Sequence, residues 1–457
     1  MLAMTSATAI ISRLRRRREW LLAGLACGSF ASASHAQPDA GAPAPEPAPV
    51  HDTTVDGTPA PPSAPDLVAA EPVAPAARIA ASQKLVESNT AEFGRASLQT
   101  AEAYTGLAEA HRQAKDYEKA AENYLEAVEV YRAVDGPFTP LAIGPLTSLG
   151  DNYHEADDDL SAIAAYTEAR TVNRRVYGLH NQDQIELLDR MSRSFLDLNQ
   201  LSEAEAQQVE ALRLVQRSNP PNSDAVLQAI YKYAEWLGDR LLFQLQRDQY
   251  TRALRIIRQS YGERDVRMVQ PLLGIGNTYR EERNPASMGI SALEDALNLL
   301  LEQPMRDYAA TAGALRDIGD WAVAFGKTGY SGTEYQRAWQ LLGSAPNGDE
   351  LRRAWFTGAN YVLYEPISPR GLSTEPDAQS GHVTVTFDID TAGNTANVML
   401  VDSNPVGLKD EAVLRHIRRS RFRPLLADGV LVTGKRLAIQ VKFRYLPEAL
   451  AGQGDAG

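Results

Sequence analysis

The sequence predicts a mostly α-helical protein, a solenoid of helical hairpins followed by a small α+β domain with a three-stranded antiparallel sheet. Three observations carry this. Ala127, Ala169, Ala211 and Ala253 recur every 42 residues, and Ala296 and Ala338 extend the ladder at steps of 43 and 42. Around them, apolar residues fall at i, i+3, i+4 and i+7, the period of an amphipathic helix. After Trp355 the apolar period shortens to two, which is the pattern of half-buried strands. At 457 residues the chain exceeds what one core organises, so several structural units are expected.

The first 36 residues read as a cleaved export signal. Arg13, Arg15, Arg16, Arg17 and Arg18 form a positive region and Trp20 to Phe30 an apolar one. Ser34-His35-Ala36 then supplies a small-residue cleavage site, leaving Gln37 as the mature N-terminus. The apolar stretch is shorter than the roughly 20 residues a membrane span needs, and Gly24, Gly28 and Ser29 dilute it. Cys27 is the only cysteine, so cleavage after Ala36 leaves neither thiol nor disulfide. Residues 37–77 are rich in Ala and Pro, with Ala42-Pro43-Ala44-Pro45-Glu46-Pro47 at their heart. They lack the apolar content to offset the entropy of ordering and read as a disordered tether.

Residues 78–345 carry the repeats. In the first, Tyr104, Leu107, Ala108 and His111 share one helix face, Asp116-Tyr117 makes a turn, and Ala120, Tyr124, Ala127, Val130 and Tyr131 line a second helix. Leu149, Ala162, Tyr166, Ala169 and Val172 repeat these positions in the second unit, and Met191, Ala204, Ala211 and Leu214 in the third. Tyr233, Ala253 and Ile256, then Tyr279 and Ala296, then Ala338 mark three more. The later units are expected to be less regular. Pro285 interrupts the fifth helix pair beside the one-residue slip in the ladder, and Gly326, Gly329 and Gly332 loosen the sixth.

These residues resemble tetratricopeptide repeats, in particular the 42-residue form of kinesin light chains. Tyr177-Gly178-Leu179-His180 and Tyr261-Gly262-Glu263-Arg264 match the turn between repeats of that form. The resemblance implies a right-handed solenoid whose concave groove holds a peptide or partner helix. Polar candidates on the first helix of each pair are Asn152, Arg190, Arg193 and Asn277.

In the C-terminal part, Val383, Val385, Phe387 and Ile389 alternate along one strand, and Asp390-Thr391-Ala392-Gly393-Asn394 supplies turn chemistry. Val398 to Val401 reads as the returning strand, Leu408 to Arg419 as a helix, and Leu437, Ile439, Val441, Phe443 and Tyr445 as a third strand. Residues 357–447 therefore form the α+β domain, and 448–457 a disordered tail. The domain resembles the TonB C-terminal domain of bacterial energy transducers. The match runs through Gly381-x-Val383-x-Val385-x-Phe387-x-Ile389-Asp390, Ser403-Asn404-Pro405, Arg421-Phe422-Arg423-Pro424 and Ile439-x-Val441-x-Phe443, with Tyr364-Glu365-Pro366 standing in for an upstream Tyr-Pro element. What the resemblance implies is strand addition: the last strand pairs with an extended segment, the TonB box, of an outer-membrane receptor. On this sequence the edge residues are Arg436, Ala438, Gln440, Lys442 and Arg444. Between Gly381 and Leu446 ten Lys/Arg face six Asp/Glu, so the region carries +4 within a chain of net charge −12. Arg415, Arg418, Arg419, Arg421 and Arg423 are candidates for steering an acidic partner.

The acidic balance argues against a nucleic-acid binder. No Gly-x-Ser-x-Gly elbow, phosphate-cradling loop or His-Glu-x-x-His is present, and the seven histidines show no metal-ligand spacing. No cofactor and no metal is expected. The reading that follows is an exported, non-enzymatic scaffold of the bacterial envelope, located in the periplasm, that binds a receptor through its C-terminal sheet and a second protein in its repeat groove. The alternatives are a membrane-anchored energy transducer, which requires a retained leader, and an exported hydrolase.

Overall fold

The computed structural model describes residues 74–367 and 378–447. The expected leader, the tail and nearly all of the tether lie outside the described residues. Helix α1 (Pro75–Phe93) opens the described chain, with Pro75 in the first turn, where its missing N–H costs nothing. Six hairpins follow: α2 (Leu98–Gln113) with α3 (Tyr117–Asp135), α4 (Ile143–Glu155) with α5 (Asp159–Tyr177), and α6 (Gln184–Asp197) with α7 (Leu201–Ser218). Then come α8 (Asp224–Gly238) with α9 (Phe243–Tyr261), α10 (Val269–Glu281) with α11 (Ser287–Leu301), and α12 (Tyr308–Ala324) with α13 (Thr328–Leu342).

One backbone device closes every hairpin. Lys115, Asp157, Asn199, Leu241, Arg283 and Gly326 each follow a first helix with φ between 58° and 73°. The next N–H returns five residues back, as in Asp116 to His111, Asp158 to Tyr153 and Lys327 to Ala322. This is the Schellman ending, which satisfies carbonyls the helix leaves open. Five of the six positions are not glycine, so only the last uses the residue that adopts this conformation without strain.

The ladder alanines lie on the second helices, and all are buried: Ala127, Ala169, Ala253, Ala296 and Ala338 are fully inaccessible and Ala211 is 5% exposed. A second small-residue row lies on the first helices, Ala108, Gly150, Ser192, Ala234, Gly276 and Gly319, and its glycines pack against the second-helix residues Tyr166, Leu293 and Tyr335. A Cβ on Gly150 would lie 2.3 Å from the Tyr166 ring, and one on Gly319 2.5 Å from Tyr335. Close helix approach, rather than propensity, thus fixes residue size at these positions. Ala253→Leu is expected to cost about 1–3 kcal/mol by overpacking. An unchanged urea midpoint would show that the contact is looser than drawn.

The expectations for the later repeats need correction. Pro285 does not interrupt a helix; it lies in the turn between α10 and α11. The extra residue of the ladder is taken up there, because 13 residues separate Arg283 from Ala296 where 12 separate Lys115 from Ala127. Nor is the sixth pair loose: Gly326 is its turn residue, and Tyr335 and Ala338 are fully buried.

Helix α14 (Gly348–Phe356) leads into the C-terminal domain. Its sheet has the order β3-β2-β7, antiparallel throughout, formed by β2 (Gln379–Ile389), β3 (Thr395–Asn404) and β7 (Gly434–Tyr445). Helix α15 (Asp410–Arg419) covers one face, where Val413, Leu414 and Ile417 meet Val383, Val385, Phe387 and Ile389. Two short antiparallel pairs complete the domain: β1 (Tyr361–Leu363) with β4 (Arg421–Phe422), and β5 (Leu425–Ala427) with β6 (Val430–Val432).

Candidate protein-interaction sites

The open face and free edge of the C-terminal sheet follow from strand alternation. Leu437, Ile439, Val441 and Phe443 lie directly opposite Phe387, Val385, Val383 and Gly381, on the face that α15 covers. Ala438, Gln440 and Lys442 project to the other face and are exposed, with Gln440 donating to Thr384 Oγ1 at 3.3 Å. Arg444 is half-buried and donates to the Ala378 carbonyl. Pairing with β2 runs unbroken over nine residues, Leu437 to Tyr445. Among the described residues, the other edge of β7 carries no strand.

Arg436 differs from its neighbours. It has φ +53° beside a break in register between Phe387 and Ile389, and its N–H donates to Asp388 Oδ1 at 2.8 Å. That N–H, the Asn397 amide and the nearby basic side chains hold the Asp388 carboxyl below its ordinary value. The addable edge therefore begins at Leu437, and Arg436 is its bulged border. Strand β3, the opposite edge, breaks register twice and carries Asn397 at φ +51°, so it is a poor template for pairing.

The four groove candidates separate in the structure. Asn152 is fully buried and donates to the Tyr117 carbonyl at 2.9 Å, so it braces two hairpins rather than facing a ligand. Arg190 is engaged with Glu186 at 2.8 Å and Asp151 at 3.4 Å. Asn277 donates to Asp317 at 3.0 Å. Arg193 is exposed and remains presented to solvent. Arg193 and Asn277 belong to one repeating position, shared with Glu109, Asp151, Glu235 and Asp320. At three of the four acidic members a tyrosine fifteen residues on caps the carboxylate: Tyr124 donates to Glu109 at 2.9 Å, Tyr166 to Asp151 at 2.8 Å and Tyr335 to Asp320 at 2.8 Å.

Two clusters were not legible in the sequence. His154, Asp159 and Asp197, from α4, α5 and α6, place ligand atoms within 4.8 Å of one another. His154 Nδ1 lies 2.7 Å from Asp159 within its own hairpin and 3.6 Å from Asp197 of the next, so the imidazole bridges the two hairpins. The spacing 154, 159, 197 matches no ligand signature because packing, not one helix, brings them together. The second cluster surrounds Asp320, 2% exposed. Arg423 reaches it with two bonds of 2.9 and 2.7 Å, and Arg280 with one of 2.9 Å. Arg423 is itself buried, which removes it from the arginines proposed to steer a partner.

The model of the family "Gram-negative bacterial TonB protein C-terminal" matches residues 376–445, and the "Tetratricopeptide repeat" model matches residues 100–140. No curated protein matches the chain significantly. Among solved structures, BtubC (BKLC) from P. vanneervenii is 18% identical over 52% of this chain and 97% of its own, with a TM-score of 0.35. A Podosopora anserina kinesin light chain with nearly identical TPR-like repeats is 9% identical over 45% and 97%, TM-score 0.34. The C-terminal part of a TPR repeat-containing protein from Cytophaga hutchinsonii is 8% identical over 59% and 95%, TM-score 0.34. Both matched families are protein-interaction modules, and a protein-binding scaffold is what they imply. The chain joins a tetratricopeptide-type repeat array to a TonB-type C-terminal domain.

Proposed function

We propose that this chain is an exported scaffold of the bacterial envelope, working in the periplasm, whose C-terminal sheet takes up an extended segment of an outer-membrane receptor along β7. The repeat array binds a second protein. The observation that supports the strand-addition reading most is the contrast between the two edges: β7 is regular over nine residues, while β3 is broken by two register shifts. Strand addition needs a straight row of backbone donors and acceptors, with side chains on alternate faces for selectivity. On β7 the added strand would meet half-buried Ile439 and Val441 on the helix side and Gln440 and Lys442 on the open side.

The test is site-specific photocrosslinking in whole cells. A crosslinker at Gln440 is expected to capture an outer-membrane receptor, and one at Met399 on β3 is expected not to. Capture from β3 alone, or from the repeats alone, would end the strand-addition reading. Ile439→Pro is expected to lower receptor capture at least about tenfold, because proline removes a ladder N–H and is incompatible with a paired strand. An energy-transducer role needs attachment to the inner membrane as well. Among the described residues no helix is long and apolar enough to cross a membrane. The mature N-terminus decides this: Gln37 in the soluble periplasm would remove the transducer reading, and an intact leader in the inner-membrane fraction would replace the scaffold reading with it.

A further inference from the structure

We infer that the C-terminal domain has a second role, independent of strand addition: it caps the repeat array by occupying the place of a seventh hairpin, with Arg423 as the docking residue. Stacked repeats bury each other's faces, so the last one exposes apolar surface unless something covers it. At the other end, α1 does this, burying Val86 against Ala103 and Leu107. Within the array, the polar position of a first helix is met by a side chain from the next first helix at two steps. Asp151 is met by Arg190, 39 residues on, and Asn277 by Asp317, 40 residues on. Asp320 holds that position in the sixth hairpin, which has no seventh hairpin after it, only the short helix α14. Arg423 of the Arg-Phe-Arg-Pro segment fills the vacancy, bidentate and buried, while its Nη1 donates to the Trp355 carbonyl at 3.1 Å.

The apolar contacts agree. Val362 of β1 and Leu426 of β5 share one buried cluster with Leu315, Ile318, Trp321 and Tyr335 of the sixth hairpin. A Cβ on Gly332 of α13 would lie 2.9 Å from Leu431, and one on Gly429 would lie 3.1 Å from Trp339. Farther back, Arg283 in the fifth turn donates to the Tyr364 carbonyl at 2.8 Å and pairs with Glu365 at 3.0 Å. The surface used is built by β1, β4, β5 and β6, so β7 stays available for its own partner.

Hydrogen exchange by mass spectrometry on the full chain tests this. Arg423→Gln is expected to speed exchange about tenfold or more in α12, α13 and α14 and to leave α2 to α5 unchanged. Gly332→Val wedges the same contact without touching the ion pair and is expected to give the same local pattern. Arg415→Gln, an exposed arginine of the same domain, is the control and is expected to leave exchange as it was. Unchanged exchange in α12 and α13 in both interface variants would overturn the capping role. So would an equal rise in α2 to α5, which would mean general destabilisation.

Discussion

Asp320→Ala is expected to destabilise the fold by about 3–5 kcal/mol, because it leaves the buried Arg423, the half-buried Arg280 and the Tyr335 hydroxyl without their shared acceptor. Arg423→Met removes one guanidinium and leaves a buried carboxylate still held by Arg280, so a loss at the lower end of that range is expected. Replacing both Asp320 and Arg423 with apolar residues of similar volume is expected to recover much of the loss, since desolvation cancels most of what a buried pair contributes. Chemical denaturation of the three variants checks this ordering, and a double variant worse than Asp320→Ala would refute it. A pH dependence follows as well. Burial alone would raise the Asp320 carboxyl, but the guanidiniums of Arg423, Arg280 and Arg316 outweigh it and hold the group at about 2. An unfolded aspartate titrates near 3.9. A carboxyl lowered on folding contributes stability above its unfolded value and loses it as the pH falls through the folded one. The junction is therefore expected to be intact above about pH 4 and to weaken between about pH 4 and 2. Acid unfolding of Asp320→Asn monitored over that window is expected to lack this component.

Trp321→Ala is expected to cost about 3–5 kcal/mol, the loss of a large buried ring plus the cavity it leaves. Trp321 is 1% exposed, lies 4.5 Å from the Phe325 ring, and is pressed so closely by α11 that a Cβ on Gly289 would sit 2.3 Å from it. It belongs to the cluster that also holds Val362 and Leu426, so its loss is felt by the last two hairpins and the C-terminal domain together. Leu160→Ala is the comparison, because that side chain is 63% exposed. It is expected to change stability by no more than about 0.5 kcal/mol. Equal thermal shifts for the two variants would show that the junction cluster is not the packed core described.

The hairpins were legible because their signals are local. A helix face is written at i, i+3, i+4 and i+7, and helix approach is written as a small residue at a fixed interval. Ala127 to Ala338 could therefore be placed without any knowledge of distant contacts. The second row from Ala108 to Gly319 was harder to see, since it mixes Ala, Gly and Ser; its common property is size, which only the tyrosine rings packed against Gly150 and Gly319 reveal. Pro285 misled for a related reason. A proline breaks a helix only if it falls inside one, and the five-residue return from Asn284 to Tyr279 had already ended α10 before it. In the C-terminal domain, alternation identified β2 and β7, but not that Asp388 would draw the Arg436 N–H out of the edge.

By itself, then, the sequence determined the period, the number of hairpins, the change from helix to strand near Trp355 and the faces that β2 and β7 turn inward. The elements depend on residues within one or two turns of each other, and the period on a small residue recurring every 42 or 43 positions. Tertiary structure decided which polar residues are presented and which are consumed. Asn152 is buried in a brace, Arg190 is paired, and Arg193 is exposed, although all three looked alike as polar residues on a first helix. It also decided that the array and the sheet are docked. Asp320 and Arg423 stand 103 residues apart, and neither has a neighbour in sequence that predicts the other. An ion pair of that kind is fixed by the low dielectric of a shared interior, which exists only once both modules have folded and met.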